Sequence, residues 1–337
     1  MRVRALVNPS VRPAAVPLPG DEAMSFHAAL ADYRPTPLRG LPAVAAELGL
    51  GAVALKDESD RLGLPAFKVL GASWAVERAL REHPGVRTLV AASAGNHGRA
   101  VAHVAAGRGM GCRVFLPARA ATARREAIAA EGADVVVVDG AYEDAVAQAA
   151  AQGAQPGAIE IADVGASGPA SWVIDGYATL FAEVGAQDTF DAILVPVGVG
   201  SLAAAAARFA AQANVKVIGV EAVTAACLTA SLAAGEPTTV PTPGTTMAGL
   251  DCAEVSAAAW PSLRDGIHGT VTVSDAEAHA AMRELAAAGL AIGDSGAAPL
   301  AALRALAGEP RCSALRDAVG LGSDSRVVLI ATEGLTA

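Results

Sequence analysis

The residues that could do chemistry begin with Lys68, set between Phe67 and Val69 in the stretch Leu64-Pro-Ala-Phe-Lys-Val-Leu-Gly-Ala-Ser73. Burial among apolar neighbours disfavours an ammonium, and the amine set free can attack a carbonyl to make a Schiff base. Most lysines instead lay the stem on an apolar surface and keep the head in water, so the rest of the chain must decide. Ala92-Ser-Ala-Gly-Asn-His-Gly-Arg99 is a glycine-rich turn between a strand and a helix. Ser93, Gly95 and the amides after them can cradle a carboxylate, and the Asn96 amide can bond a phenolic oxygen. His97 on its own reads as structural. A second turn, Leu194-Val-Pro-Val-Gly-Val-Gly-Ser-Leu-Ala203, again joins a strand to a helix start and suits a phosphate. Gly198, Gly200 and Ala203 also fit G-x-G-x-x-A, with Glu221 closing the next strand where a dinucleotide fold would use it on a ribose. Three readings of this window stay open: a phosphate site, a nicotinamide or flavin site, and a tight packing turn.

The elements that must hold these residues alternate in type. Strands are expected at Val53 to Lys56, Thr88 to Ala92, Cys112 to Leu116, Val135 to Val138, Ala158 to Ile161, Ala192 to Pro196, Val215 to Val220 and Arg326 to Ala331. Between them the pattern predicts helices at Pro42 to Leu48, Asn96 to Gly107, Thr122 to Glu131, Tyr142 to Gln152, Pro169 to Val184 and Ser201 to Gln212, with Gly71 marking another helix start. Ser274 and Glu277 form a capping box for a helix running to about Ala288. Branched, nearly unbroken apolar strands call for a parallel sheet covered on both faces. Residues 1 to 40 hold Pro13, Pro17, Pro19, Pro35 and Pro37 and read as an irregular lead-in.

With 337 residues, 53% of them hydrophobic, the chain can bury the cores of about two domains. A net charge of -9 argues against a nucleic-acid partner, which needs a concentrated positive field. No apolar run is long enough to span a bilayer and no signal core follows the N-terminus, so a cytoplasmic protein acting on a small molecule is expected. Cys112, Cys227, Cys252 and Cys312 lie far apart in sequence without a C-x-x-C, as ordinary reduced thiols do, and no metal site is expected.

Three motifs in this order, Ala66-Phe67-Lys68, Ser93 to Gly98 and Val197 to Leu202, resemble the fold-type II pyridoxal-phosphate enzymes, the group of serine and threonine dehydratases and tryptophan synthase β chains. Within that group Tyr33-Arg-Pro-Thr-Pro-Leu38, Lys56-Asp-Glu-Ser59, Gly176-Tyr-Ala-Thr179, Met247-Ala-Gly-Leu250 and Thr332-Glu-Gly334 look like diaminopropionate ammonia-lyases. The resemblance implies an α/β fold of two intertwined three-layer domains, a large cofactor-binding one from 1–70 and 160–337 and a small one from 71–159. It implies pyridoxal phosphate held by Lys68 as a Schiff base. Asn96 would bond the ring hydroxyl, Gly198, Val199, Gly200, Ser201 and Leu202 would bind the phosphate, and Thr332 would face the pyridine nitrogen. Ser93, Ala94, Gly95 and His97 would hold the substrate carboxylate, while Tyr142 and Asp163 match positions that help recognise the substrate. A carboxylate at Asp163 can pair with a β-amino group.

The reaction implied is α,β-elimination from an L-amino acid, 2,3-diaminopropionate or a serine- or threonine-like one, to a 2-oxo acid and ammonia by a homodimer. A β-replacement synthase would share every cofactor residue, a non-catalytic binder would show the cofactor without turnover, and a nicotinamide enzyme would carry no covalent chromophore. One position departs from the family. Where diaminopropionate ammonia-lyases carry an aspartate that serves as a second base, this chain has Ala94. Cys227 and Cys252 fall near a family cysteine pair, with free thiols the default in a reducing compartment.

Overall fold

A computed structural model describes residues 4–335; the first three residues of the expected lead-in and residues 336–337 lie outside the described residues. Its strands are β1 (Ala5–Val7), β2 (Leu38–Gly40), β3 (Ala52–Asp57), β4 (Thr88–Ala92), β5 (Gly111–Pro117), β6 (Asp134–Val138), β7 (Ala158–Glu160), β8 (Ala192–Pro196), β9 (Lys216–Ala222), β10 (Gly269–Val273) and β11 (Arg326–Ala331). They form a seven-stranded sheet in the order β1-β10-β9-β8-β11-β3-β2 and a four-stranded one in the order β6-β5-β4-β7. By contacts the chain divides into two units, residues 4–67 with 177–335, and Lys68–Gly176. Residues 68–70 and 160–176, given to the large domain in the sequence division, cluster with the second unit, and the second change of unit falls inside the helix Pro169–Gln187.

In the first unit β8 and β10 are buried at every residue. Successive side chains of a strand point to opposite faces, so total burial means that helices cover both sides of the sheet. Asp294–Gly308 packs against β8 to β11, and Ser201–Ala213 lies along β8 and β9. The five inner strands are parallel, whereas β1 and β2 run antiparallel to β10 and β3. These two edges come from the lead-in expected to be irregular, which also contains the helix Glu22–Ala28. Prolines limit the edges to three residues each, and short edge strands discourage pairing with other chains.

All four strands of the second unit are parallel. Its helix Lys68–Glu82 begins three residues before Gly71, where the sequence placed the start. Gly71 is buried inside that helix, so its glycine serves packing rather than termination.

Candidate active site

In an open parallel sheet, the crevice for a ligand opens at the carboxyl ends of the strands where strand order reverses. In the four-stranded sheet that point lies between β4 and β7. The turn Ser93 to His97 leaves β4 there, and Asp163 follows β7. Lys68 Nζ donates to Asp163 Oδ2 at 2.9 Å, closing a sequence gap of 95 residues. Lys68 is therefore not the uncompensated buried amine that the apolar neighbours suggested: its side chain is 21% exposed and paired with a carboxylate.

His97 is buried, and its Nε2 lies 2.7 Å from Ile161 O. A carbonyl only accepts, so Nε2 carries the ring proton. In the neutral ring Nδ1 is then a lone pair; it is buried, 3.9 Å from Asp163 Oδ2, and has no hydrogen-bond partner among the described residues. Burial pushes the imidazole down from its ordinary value, against the pull of Asp163. For Asp163, burial alone would raise the carboxyl, but the imidazole of His97 and the ammonium of Lys68 beside it outweigh that and hold the group well below the carboxylate range. With His97 neutral, the Lys68 ion pair is what keeps Asp163 ionised.

Around this pair the turn takes a definite shape. Gly95 N donates to Ser93 Oγ at 3.2 Å, and Gly95 is the N-cap of the helix Asn96–Gly107, which Asn96 opens with a half-buried side chain. Ala94 is half-buried between them. Tyr142 opens the helix Tyr142–Gly153, and its hydroxyl donates to Ala92 O at 3.2 Å, over the end of β4. The second unit thus brings Lys68, Ser93 to His97, Tyr142 and Asp163 to the carboxyl end of its sheet.

In the first unit, order reverses between β8 and β11. Residues 197–202 follow β8 and Thr332 follows β11, so the fold places both at the carboxyl ends of adjacent strands. Gly200 caps the helix Ser201–Ala213 at φ 91°, a conformation that favours glycine. A Cβ on Gly198 would lie 2.4 Å from Gly249 O and 3.0 Å from Cys252 Sγ. This cradle closes only around glycine. The first N–H groups of a helix lack intrahelical acceptors and its dipole favours an anion, so residues 198–202 offer a phosphate what it needs. Gly198→Ala is expected to cost about 1–3 kcal/mol of stability in urea unfolding, because the atom met is backbone and cannot swing aside.

Glu221 has another occupation than a ribose. It is fully buried, accepting from Leu228 N, Thr229 N and Thr229 Oγ1 at 2.6–2.8 Å, and burial pushes it up to about 7. It ties down the start of the helix Cys227–Ala234, which removes the acid that a dinucleotide site would use. The four cysteines are free thiols; Cys227 Sγ donates to Gly198 O at 3.5 Å. No cluster of metal-ligating side chains occurs among the described residues.

Residues 30–333 match the family of pyridoxal-phosphate dependent enzymes. Diaminopropionate ammonia-lyase of Escherichia coli strain K12 is 32% identical over 93% of this chain and 88% of its own length. The biosynthetic L-threonine dehydratase of the same strain is 30% identical over 74% of this chain and 48% of its own. A crystal structure of Escherichia coli diaminopropionate ammonia-lyase, in complex with an aminoacrylate-pyridoxal-phosphate azomethine intermediate, superposes with a TM-score of 0.89 at 30% identity, covering 98% of this chain and 94% of that one. Taken unit by unit, the glycine turn at 198–202 offers N–H groups of the kind a phosphate requires, and Lys68 offers an amine of the kind an aldehyde can bond. This chain is a member of the pyridoxal-phosphate dependent enzyme family.

Proposed function

We propose that the protein catalyses α,β-elimination of an L-amino acid with a β leaving group, 2,3-diaminopropionate before serine or threonine, releasing a 2-oxo acid and ammonia. The observation that carries this reading is the Lys68 to Asp163 ion pair at 2.9 Å. In it a lysine ammonium occupies a carboxylate that, once Lys68 is committed to the cofactor, is left to receive the ammonium on a substrate's β carbon. That ammonium departs as ammonia and brings its own proton. A departing hydroxyl would need a proton from elsewhere, and His97 directs its own at Ile161 O.

In this reading Lys68 holds the cofactor aldehyde and, freed by the incoming amino group, takes the α-proton at Nζ. Bound pyridoxal phosphate supplies an electron sink for the pair left at Cα. The N–H groups of residues 198–202 hold its phosphate, Asn96 its ring hydroxyl and Thr332 its ring nitrogen, a neutral partner that suits elimination. Ser93 to His97 bind the α-carboxylate, and Tyr142 borders the same turn. The seven-stranded unit is then the large, cofactor-holding domain and the four-stranded unit the small one. A homodimer acting in the cytoplasm is carried over from the resemblance; free thiols at all four cysteines fit a reducing compartment. Among the described residues no helix is long and apolar enough to cross a membrane.

The test is the visible spectrum of the purified protein before and after borohydride, with peptide mapping of the reduced label, then an amino-acid panel assayed for 2-oxo acid. Label at Lys68 and pyruvate from diaminopropionate are the expected results. A spectrum without a chromophore, or a substituted amino acid formed only when a nucleophile is added, would replace the reading. Asp163→Asn is expected to raise KM for diaminopropionate about 30-fold, the loss of ~2 kcal/mol when a buried charge partner is removed. The same change should move KM for serine far less, which parallel assays check.

A further inference from the structure

The segment that delivers Lys68 rests on charges that the proposed reaction does not use. Lys56, Glu58, Arg61 and Glu183 are each at most 1% exposed. Arg61 grips Glu58 side-on through Nε and Nη2 at 2.8 and 2.6 Å, and Glu183 end-on through Nη1 and Nη2 at 2.7 and 2.8 Å. Its remaining donor reaches Arg34 O at 3.3 Å. Lys56 Nζ donates to Glu183 Oε2 at 2.6 Å, Thr36 O at 2.8 Å and Gln187 Oε1 at 2.9 Å. Tyr33 adds its hydroxyl to Glu183 Oε1 at 2.7 Å.

Taking such a set of ions out of water is costly, and an apolar set of equal volume often serves stability as well. What charges in a fork geometry add is direction, since two bidentate grips allow one arrangement of guanidinium and carboxylates. The backbone beside them needs that direction. Arg61 and Leu64 exchange hydrogen bonds of 2.8 and 3.0 Å around Leu62 and Gly63, whose φ values are 52° and 81°. Leucine disfavours the left-handed region, so its surroundings hold the turn there. From the turn, the chain is tied to the segment after β11: Gly334 N to Pro65 O at 3.0 Å and Phe67 N to Thr332 O at 3.2 Å, with Glu58 N to Ala331 O at 2.9 Å on the other side of the turn. Lys68 is the next residue.

We propose that Arg61 is a positioning residue for the reaction: by clamping Glu58 and Glu183 it fixes the register of residues 58–67 against 331–334, and with it the point from which Lys68 departs. The inference rests on the reading that Lys68 carries the cofactor. Arg61→Lys keeps the charge and removes the fork. In the holoenzyme it is expected to lower kcat at least tenfold, change KM less than threefold, and shift or deplete the visible band of the Lys68-bound cofactor. A lysine variant with lowered melting temperature but wild-type kcat and spectrum would make Arg61 merely structural and overturn the proposal. Should that variant fail to fold, Glu58→Gln, which preserves shape and removes one charge, decides by the same readouts. Borohydride labelling of the wild type separates the two claims. If Lys68 takes no label, the proposed function falls and this inference with it; if it does and both variants match wild type, only the role of Arg61 falls.

Discussion

Lys68→Ala is expected to lower turnover of diaminopropionate by about 10⁴-fold, the upper range for a positioned acid-base group. The neighbours explain why nothing takes over. A carboxylate such as Asp163 is a far weaker base than an amine, and the only free lone pair of His97 is buried. The variant should also lose the borohydride-stable label while the cofactor can still be retained non-covalently through the turn at 198–202. Folding should survive. Lys68 is 21% exposed at the first position of its helix, and the unpaired Asp163 should cost about 1–2 kcal/mol, less than a fully buried pair would. Single-turnover assays, absorbance and thermal melting check the three parts separately.

The second large effect concerns the handedness of the substrate. D-diaminopropionate is expected to react at least about 10²-fold more slowly than the L form, because an α-proton on the opposite face meets no base. In the second unit the groups able to accept a proton near Lys68, namely Asp163 and His97 Nδ1, converge on one point around Asp163 Oδ2. The turn residue that could reach elsewhere is Ala94, a methyl group in place of the aspartate that the resemblance leads one to expect. Ala94→Asp should raise the D rate at least about tenfold while leaving the L rate within a few-fold. Equal rates on both isomers in the wild type would mean that another base serves the second face.

Much of this was legible because the signals were local. Strands β4, β8 and β11 and the helix Asn96–Gly107 begin and end where the sequence placed them, since glycine turns and apolar runs mark their ends sharply. The capping box at Ser274 and Glu277 is formed as expected, with Ser274 N donating to Glu277 Oε2 at 2.7 Å and Glu277 N to Ser274 Oγ at 3.4 Å. The helix Asp294–Gly308 escaped notice for the opposite reason. It is buried nearly all round, contains Pro299, and so shows no apolar stripe of helical period.

Runs of a few consecutive residues were enough to set the order of elements, the two glycine turns and Lys68 as the candidate amine. Only the tertiary structure decided what those residues face. Pairing Lys68 with Asp163, occupying Glu221 at a helix start and binding Arg61 to Glu183 across 122 residues all depend on which strands lie side by side. Charge and burial act through space, and a string of residue types holds no record of distance until the sheets have set it.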